Sequence, residues 1–137
     1  MQLQNTSKYA IRILSYIAKN GNTKLCSAKE LSDKLNISYK FLTKIMTELV
    51  KLDFVISIKG RVGGYKLSKP AKDISIHDIL NSLKELDNDE ICILGIGECN
   101  SVNKCALHDQ WIKPKNLIDT MYKETTLDKL DGENFKF

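Results

Sequence analysis

Residues 92–108 read CILGIGECNSVNKCALH and hold three of the chain's four cysteines and one of its two histidines. Cys92, Cys99, Cys105 and His108 follow the spacing C-x6-C-x5-C-x2-H. Thiolates and imidazole are ligands of iron–sulfur clusters and of zinc. Single-zinc knuckles usually carry a close C-x2–4-C pair, which this segment lacks. Wide gaps suit a loop that wraps something larger than one ion, and Gly95 and Gly97 would let the backbone approach its sulfides. The plainer alternative makes the cysteines small buried hydrophobes, but the segment is polar and carries glycine. Cys26 lies far away, just before a helix cap, and reads as a buried thiol. His77 reads as structural or solvent-facing.

A second constellation is cationic. Residues 1–72 hold 14 Lys+Arg against 4 Asp+Glu, a net +10, whereas residues 73–137 hold 7 against 13, a net −6. That asymmetry points to a polyanionic partner for the first half, against the alternative of solvated charge in a lysine-rich protein. Ser38, Tyr39, Lys40, Thr43 and Lys44 fall on the face of one segment opposite Leu42, Ile45 and Leu49. Hydroxyls can bond bases or phosphates, and lysines supply phosphate charge. Lys59 and Arg61 lie in the Gly-flanked stretch KGRVGG, which can bring Arg61 to the DNA backbone or into a narrow minor groove.

Elements must position these groups. Residues 7–19 read as a helix with Ala10, Ile13, Leu14, Ile17 and Ala18 on one face, stopped at Gly21. Ser27 to Glu30 fits a capping box ahead of Leu31 and Leu35. Asn36 is a left-handed turn residue, and Ser38 caps the next helix, which buries Leu42, Ile45, Met46 and Leu49. Two short helices on a tight turn, the second cationic, form a helix-turn-helix. The stretch FVISIKGRVGGYKLSK is a hairpin that Pro70 ends. Ser75 to Asp78 is a capping box for a short helix reaching about Leu86. Beyond the cysteines, Leu107, Trp111, Leu117, Ile118, Met121 and Tyr122 make an apolar stripe; Pro114 kinks that helix or sits in the first turn of a restarted one.

Bulk properties narrow the class. No apolar run approaches the ~20 residues of a membrane helix. The N-terminus lacks a secretory pattern, so the chain reads as cytoplasmic, with reduced cysteines. The acidic run LDNDE precedes the loop, and the tail DGENFKF looks frayed. There is no C-x-x-C, no nucleotide-binding glycine motif and no second cluster motif, which argues against a redox enzyme or electron carrier. A structural zinc site in a DNA-binding protein remains the other alternative.

Taken together, SKYAIRIL, AKELSDKLNISYKFLTKIMTELVKLDFV, the wing SIKGRVGGYKLSKP, ISIHDIL and the three-cysteine loop resemble the Rrf family of bacterial winged-helix transcription regulators, over about residues 1–130. CALHDQW most resembles the family's iron–sulfur cluster regulators. That resemblance implies Cys92, Cys99, Cys105 and His108 as ligands of a [2Fe-2S] cluster, with [4Fe-4S] as the alternative. The first gap is one residue longer than in that subgroup. Lys8 stands where the nitric-oxide-sensing subgroup has a ligating Asp. The family also implies a homodimer built on the helix after the loop, and a near-palindromic double-stranded DNA operator.

The expectation is a mainly α, non-enzymatic protein with no small-molecule substrate. A winged helix-turn-helix domain with a two-stranded β wing spans 1–86, a cysteine-rich loop 87–108, a dimerisation helix region 109–130 and a flexible tail 131–137. Cluster status, reporting redox, iron or nitric oxide, would control operator affinity, with repression as the expected output.

Overall fold

A computed structural model describes residues 2–20, 24–87 and 91–130. Helix α1 (Asn5–Asn20) buries Ala10, Ile13, Leu14 and Ile17, the expected stripe. The stop at Gly21, residues 88–90 of the acidic run and the tail 131–137 lie outside the described residues.

Helix α2 (Ala28–Leu35) starts at Ser27, whose hydroxyl accepts from the Glu30 N–H. Only half of the expected capping box forms. The Glu30 carboxylate turns instead to the Tyr16 hydroxyl at 3.0 Å and the Lys24 ammonium at 3.2 Å. Asn36 closes α2 in the left-handed region (φ 52°, ψ 49°), as its short polar side chain allows. Helix α3 (Tyr39–Lys51) is capped by Ser38 and buries Leu42, Ile45, Met46 and Leu49.

Strands β1 (Val55–Ile58) and β2 (Gly64–Leu67) pair antiparallel with Ile56 opposite Lys66. The outer edge of β2 pairs with Cys26 through Cys26 N to Tyr65 O (3.1 Å) and Tyr65 N to Cys26 O (2.8 Å). Gly64 is required there, because a Cβ would stand 2.8 Å from the Cys26 carbonyl oxygen. Cys26 is fully buried, and burial pushes its thiol pKa up, as a structural cysteine behaves.

Helix α4 (Ile76–Ser82) opens with the complete Ser75–Asp78 capping box. It stops at Ser82, short of Leu86, because Lys84 takes a left-handed conformation (φ 58°) that no helix continues. Helix α5 (His108–Glu124) runs through Pro114 without restarting there. Pro114 can donate no N–H to the Gln110 carbonyl, but both residues are exposed and water can satisfy that oxygen.

Residues 125–130 then fold back. Ile76 N donates to Thr125 O and Leu127 N to Ile74 O, both at 2.9 Å, and Leu127 is buried in the core. The core sits where α1, α3 and α4 converge beneath the wing base, so the helix-turn-helix rests on one continuous apolar cluster. Among the described residues, no helix is long and apolar enough to cross a membrane.

Candidate functional site

The cationic face comes first. Ser38, Tyr39, Lys40 and Lys44 are exposed and Thr43 is half-buried; Lys40 and Lys44 lie opposite the buried stripe of α3, while Tyr39 and Thr43 flank it. Tyr39 is 58% exposed, although its ring could have packed inward. The Thr43 hydroxyl donates to the Lys40 carbonyl at 3.0 Å, which leaves its oxygen free to accept. Lys59 and Arg61 stand exposed in the turn between β1 and β2. Helix face and wing tip thus present cations, hydroxyls and one aromatic ring together, as phosphate and base-edge contact requires.

Helix α1 braces this unit, which sequence reasoning missed. The Arg12 guanidinium donates from Nη2 to the Leu35 carbonyl at 2.6 Å, closing the last turn of α2 beside the helix-turn-helix corner. The same guanidinium lies 5.4 Å from the centroid of the Tyr9 ring. Tyr9 in turn meets Phe41 of α3 edge-on, with ring centroids 5.5 Å apart. The signal was present in SKYAIRIL, where one arginine and one tyrosine interrupt an apolar helix.

The cysteine loop is built from turns. Gly95 N donates to Cys92 O at 2.7 Å, and Cys92 N to Gly97 O at 2.9 Å. Gly95 (φ 73°) and Gly97 (φ 68°) are left-handed. Their reason differs from the close approach expected, since added Cβ atoms would meet nothing within 4 Å. The loop needs their backbone conformation instead. Asn100 forms an Asx turn, its side chain accepting from Val102 N (3.1 Å) and Asn103 N (2.8 Å). Lys104 pairs with Asp109 in the first turn of α5 at 2.8 Å and holds that carboxyl below the usual carboxylate range.

The structure sets the four expected ligands side by side in pairs, Cys92 by Cys105 and Cys99 by His108. The side chains of Cys92 and Cys105 are neighbours. The Cys105 side chain beside it, joined by backbone N–H groups of Leu94, Ile96 and Gly95, holds Cys92 below the ordinary thiol range. The Cys92 side chain in turn pushes the Cys105 thiol up. A thiolate favoured at Cys92 is the form in which cysteine ligates metal. Cys99 Sγ stands 3.6 Å from His108 Nδ1, and His108 is 6% exposed at the start of α5. Ligands about 2.3 and 2.0–2.1 Å from one tetrahedral ion lie roughly 3.6 Å apart, so this pair fits one metal centre. Among the described residues, no three Cys, His, Asp or Glu side chains form a ready-made single-ion site. The donors stand as two pairs.

The chain matches the Rrf2 family model, described as "Iron-dependent Transcriptional regulator", over residues 3–132. It is 37% identical to the HTH-type transcriptional regulator NsrR of Shouchella clausii over 110 residues, covering 79% of this chain and 69% of that protein. It is 27% identical to the HTH-type transcriptional regulator IscR of Klebsiella pneumoniae over 130 residues, covering 95% and 79%. Its fold resembles the structure of CymR, the global cysteine regulator of B. subtilis, with a TM-score of 0.78 at 23% identity over 95% of each chain.

Proposed function

The chain belongs to the Rrf2 family and is a DNA-binding transcriptional regulator, and on that premise we propose that an iron–sulfur cluster on Cys92, Cys99, Cys105 and His108 controls its affinity for operator DNA. The observation that carries this reading is the arrangement of donors as two pairs, Cys92 with Cys105 and Cys99 with His108. A [2Fe-2S] cluster has two irons, each taking two protein ligands, so two pairs suit it better than one compact tetrahedron does. The N–H groups around the Cys92 sulfur suit the charge that a ligated thiolate keeps. When bound, the cluster supplies a centre whose charge and ligation change with redox state, iron supply or nitric oxide.

The protein's own part is positional. His108 opens α5, and Cys92 anchors the start of the loop. Ligation at both ends therefore fixes where α5 leaves the winged domain. Leu117 and Met121, one turn apart on α5, are 72% and 53% exposed, and burying them against a second copy gives a homodimer. Two copies place two α3 helices on a near-palindromic site, with half-sites about 34 Å apart. Changing the set of α5 changes that spacing. A coupling of ~1–3 kcal/mol would alter affinity roughly 5–150-fold.

Zinc is the second reading, because the Cys99–His108 separation fits a single tetrahedral ion equally well. Anaerobic purification, absorption spectroscopy and analysis for iron, zinc and acid-labile sulfide separate the two. Visible absorption with iron and sulfide in equal amounts is expected. A colourless protein with stoichiometric zinc and no sulfide refutes the cluster.

A further inference from the structure

The cations of the wing do not stop at its tip. Between residues 54 and 72 the only charged side chains are Lys59, Arg61, Lys66, Lys69 and Lys72, and all five are exposed. Lys66 lies on the outer face of β2, opposite Ile56. Lys66, Lys69 and Lys72 line a groove of about 610 Å³ between the wing base, the end of α1 and the turn at Asp128. Among the described residues, none of these three lysines is in an ion pair. The one carboxylate lining the groove, Asp128, already accepts a hydrogen bond from the Thr126 hydroxyl. Lys69 also borders a second hollow with Asp73 and Asp78 and lies 6.0 Å from the Phe54 ring centroid, yet within the groove three lysines face one carboxylate, and an anion seated there relieves their mutual repulsion.

We infer that the second arm of the wing and the groove at its base form a further phosphate-binding surface, which takes the DNA backbone flanking the sequence that α3 reads. This rests on the DNA-binding reading of α3 and the wing tip and extends it. At ~3.3 Å per residue, β2 (Gly64–Leu67) carries the cationic strip about 10 Å from the wing tip toward its base. Each DNA strand carries one phosphate per ~3.4 Å of axis, so that arm is long enough to follow about three of them. A straight duplex touching the wing tip leaves the wing base; one that follows the strip must curve toward the protein. The lysines act as point charges on phosphate and carry no base preference, so the contact is insensitive to flanking sequence.

The test uses the full-length protein and a duplex selected by it from random DNA, in two lengths. The short form ends at the base pairs that the recognition helices cover, and the long form adds about 10 bp on each side. The wild type should bind the long form more tightly, with log affinity falling more steeply with log salt by roughly 2–3 units per chain. The triple variant Lys66→Ala, Lys69→Ala, Lys72→Ala should erase that difference and leave short-duplex affinity unchanged. Fluorescent labels at the two ends of the long duplex should draw together with the wild type and not with the variant. Lys44→Ala should weaken both duplexes equally. Equal wild-type slopes on both lengths, or a triple variant weakened equally on both, would overturn the inference while leaving α3 as the reader. Tripolyphosphate protecting the wild type thermally without any length effect would assign the groove to a free anion and likewise overturn it. A wild type that retains neither duplex overturns the α3 reading together with this one.

Discussion

Glu85 ties the segment entering the cysteine loop to the first turn of α1, and the strength of that tie can be worked from its geometry. The Ser7 hydroxyl donates to one carboxylate oxygen at 2.6 Å, and the Gln4 N–H donates to the other at 2.8 Å. Ser7 is 1% exposed, so water cannot replace its partner, whereas the Gln4 bond is exposed. A hydrogen bond to a charged group contributes about 1.5–3 kcal/mol, with exposure pulling the Gln4 bond to the low end. The carboxylate also stands at the positive end of the α1 dipole. Glu85→Ala, which strands a buried hydroxyl, should therefore cost roughly 2–3 kcal/mol, and Ser7→Ala roughly 1–2 kcal/mol. Glu85→Gln keeps one acceptor and should fall between wild type and Glu85→Ala. For a chain of this size that corresponds to a Tm drop of roughly 6–15 °C for Glu85→Ala. Urea unfolding of the metal-free protein at pH 7, run as a double-mutant cycle, measures the coupling, expected near 1 kcal/mol. Single-mutant losses that add within ~0.3–0.5 kcal/mol in the double variant would show that Ser7 and Glu85 do not act together.

Three further outcomes follow from the site and its supports. Thr43→Ala should relax base preference at one position per half-site, whereas Lys44→Ala should lower affinity for all sequences alike; identical uniform losses would show that the reading face of α3 is misplaced. Met121→Asp should shift the protein to monomer in sedimentation and weaken binding to a two-half-site duplex, and an unchanged mass would remove α5 as the dimer contact. Tyr16 is pushed up to about 12 by burial first and then by its bond to the Glu30 carboxylate. Because its folded pKa lies above the ordinary 10, the stability it brings is full below pH 10 and is lost as pH rises toward 12. Tyr16→Phe should flatten that part of the alkaline unfolding curve, so parallel curves for the two proteins would count against the Tyr16–Glu30 bond.

Where side-chain pattern and burial coincide, the sequence was a sufficient guide. The α1 stripe, the Asn36 turn, the Ser38 cap and the hairpin all follow from residues that can do little else in those places. Misreadings occur where a tertiary partner outbids a local one. Glu30 leaves the Ser27 backbone N–H for Tyr16 and Lys24, three groups that the chain brings together only on folding. The end of α4 depends on the left-handed backbone of Lys84, a residue with no turn signature. Pro114 stays within α5 because its surroundings are open to water, which the sequence does not state. Arg12 acts through a backbone carbonyl 23 residues away, so SKYAIRIL marks the arginine without naming its partner.

The cysteine loop was legible in its donor types and not in its shape, and the reason is energetic. Among residues 91–107 only Cys92 is buried. Ile93, Leu94, Ile96 and Val102 are 46%, 50%, 69% and 86% exposed. Hydrophobic burial, the term that orders the winged domain, contributes almost nothing to the loop within one chain. Its order rests instead on a few turns, on the neighbouring Cys92 and Cys105 side chains, and on the Cys99–His108 contact. Ligand bonds to metal are strong enough to hold such a segment, since binding free energy becomes folding free energy when the site has no other support. If the loop binds the proposed cluster, the winged half keeps a core of its own without it, whereas the loop takes its order from the ligand bonds. A regulator needs that division, because an output domain must persist through the change that its sensor undergoes.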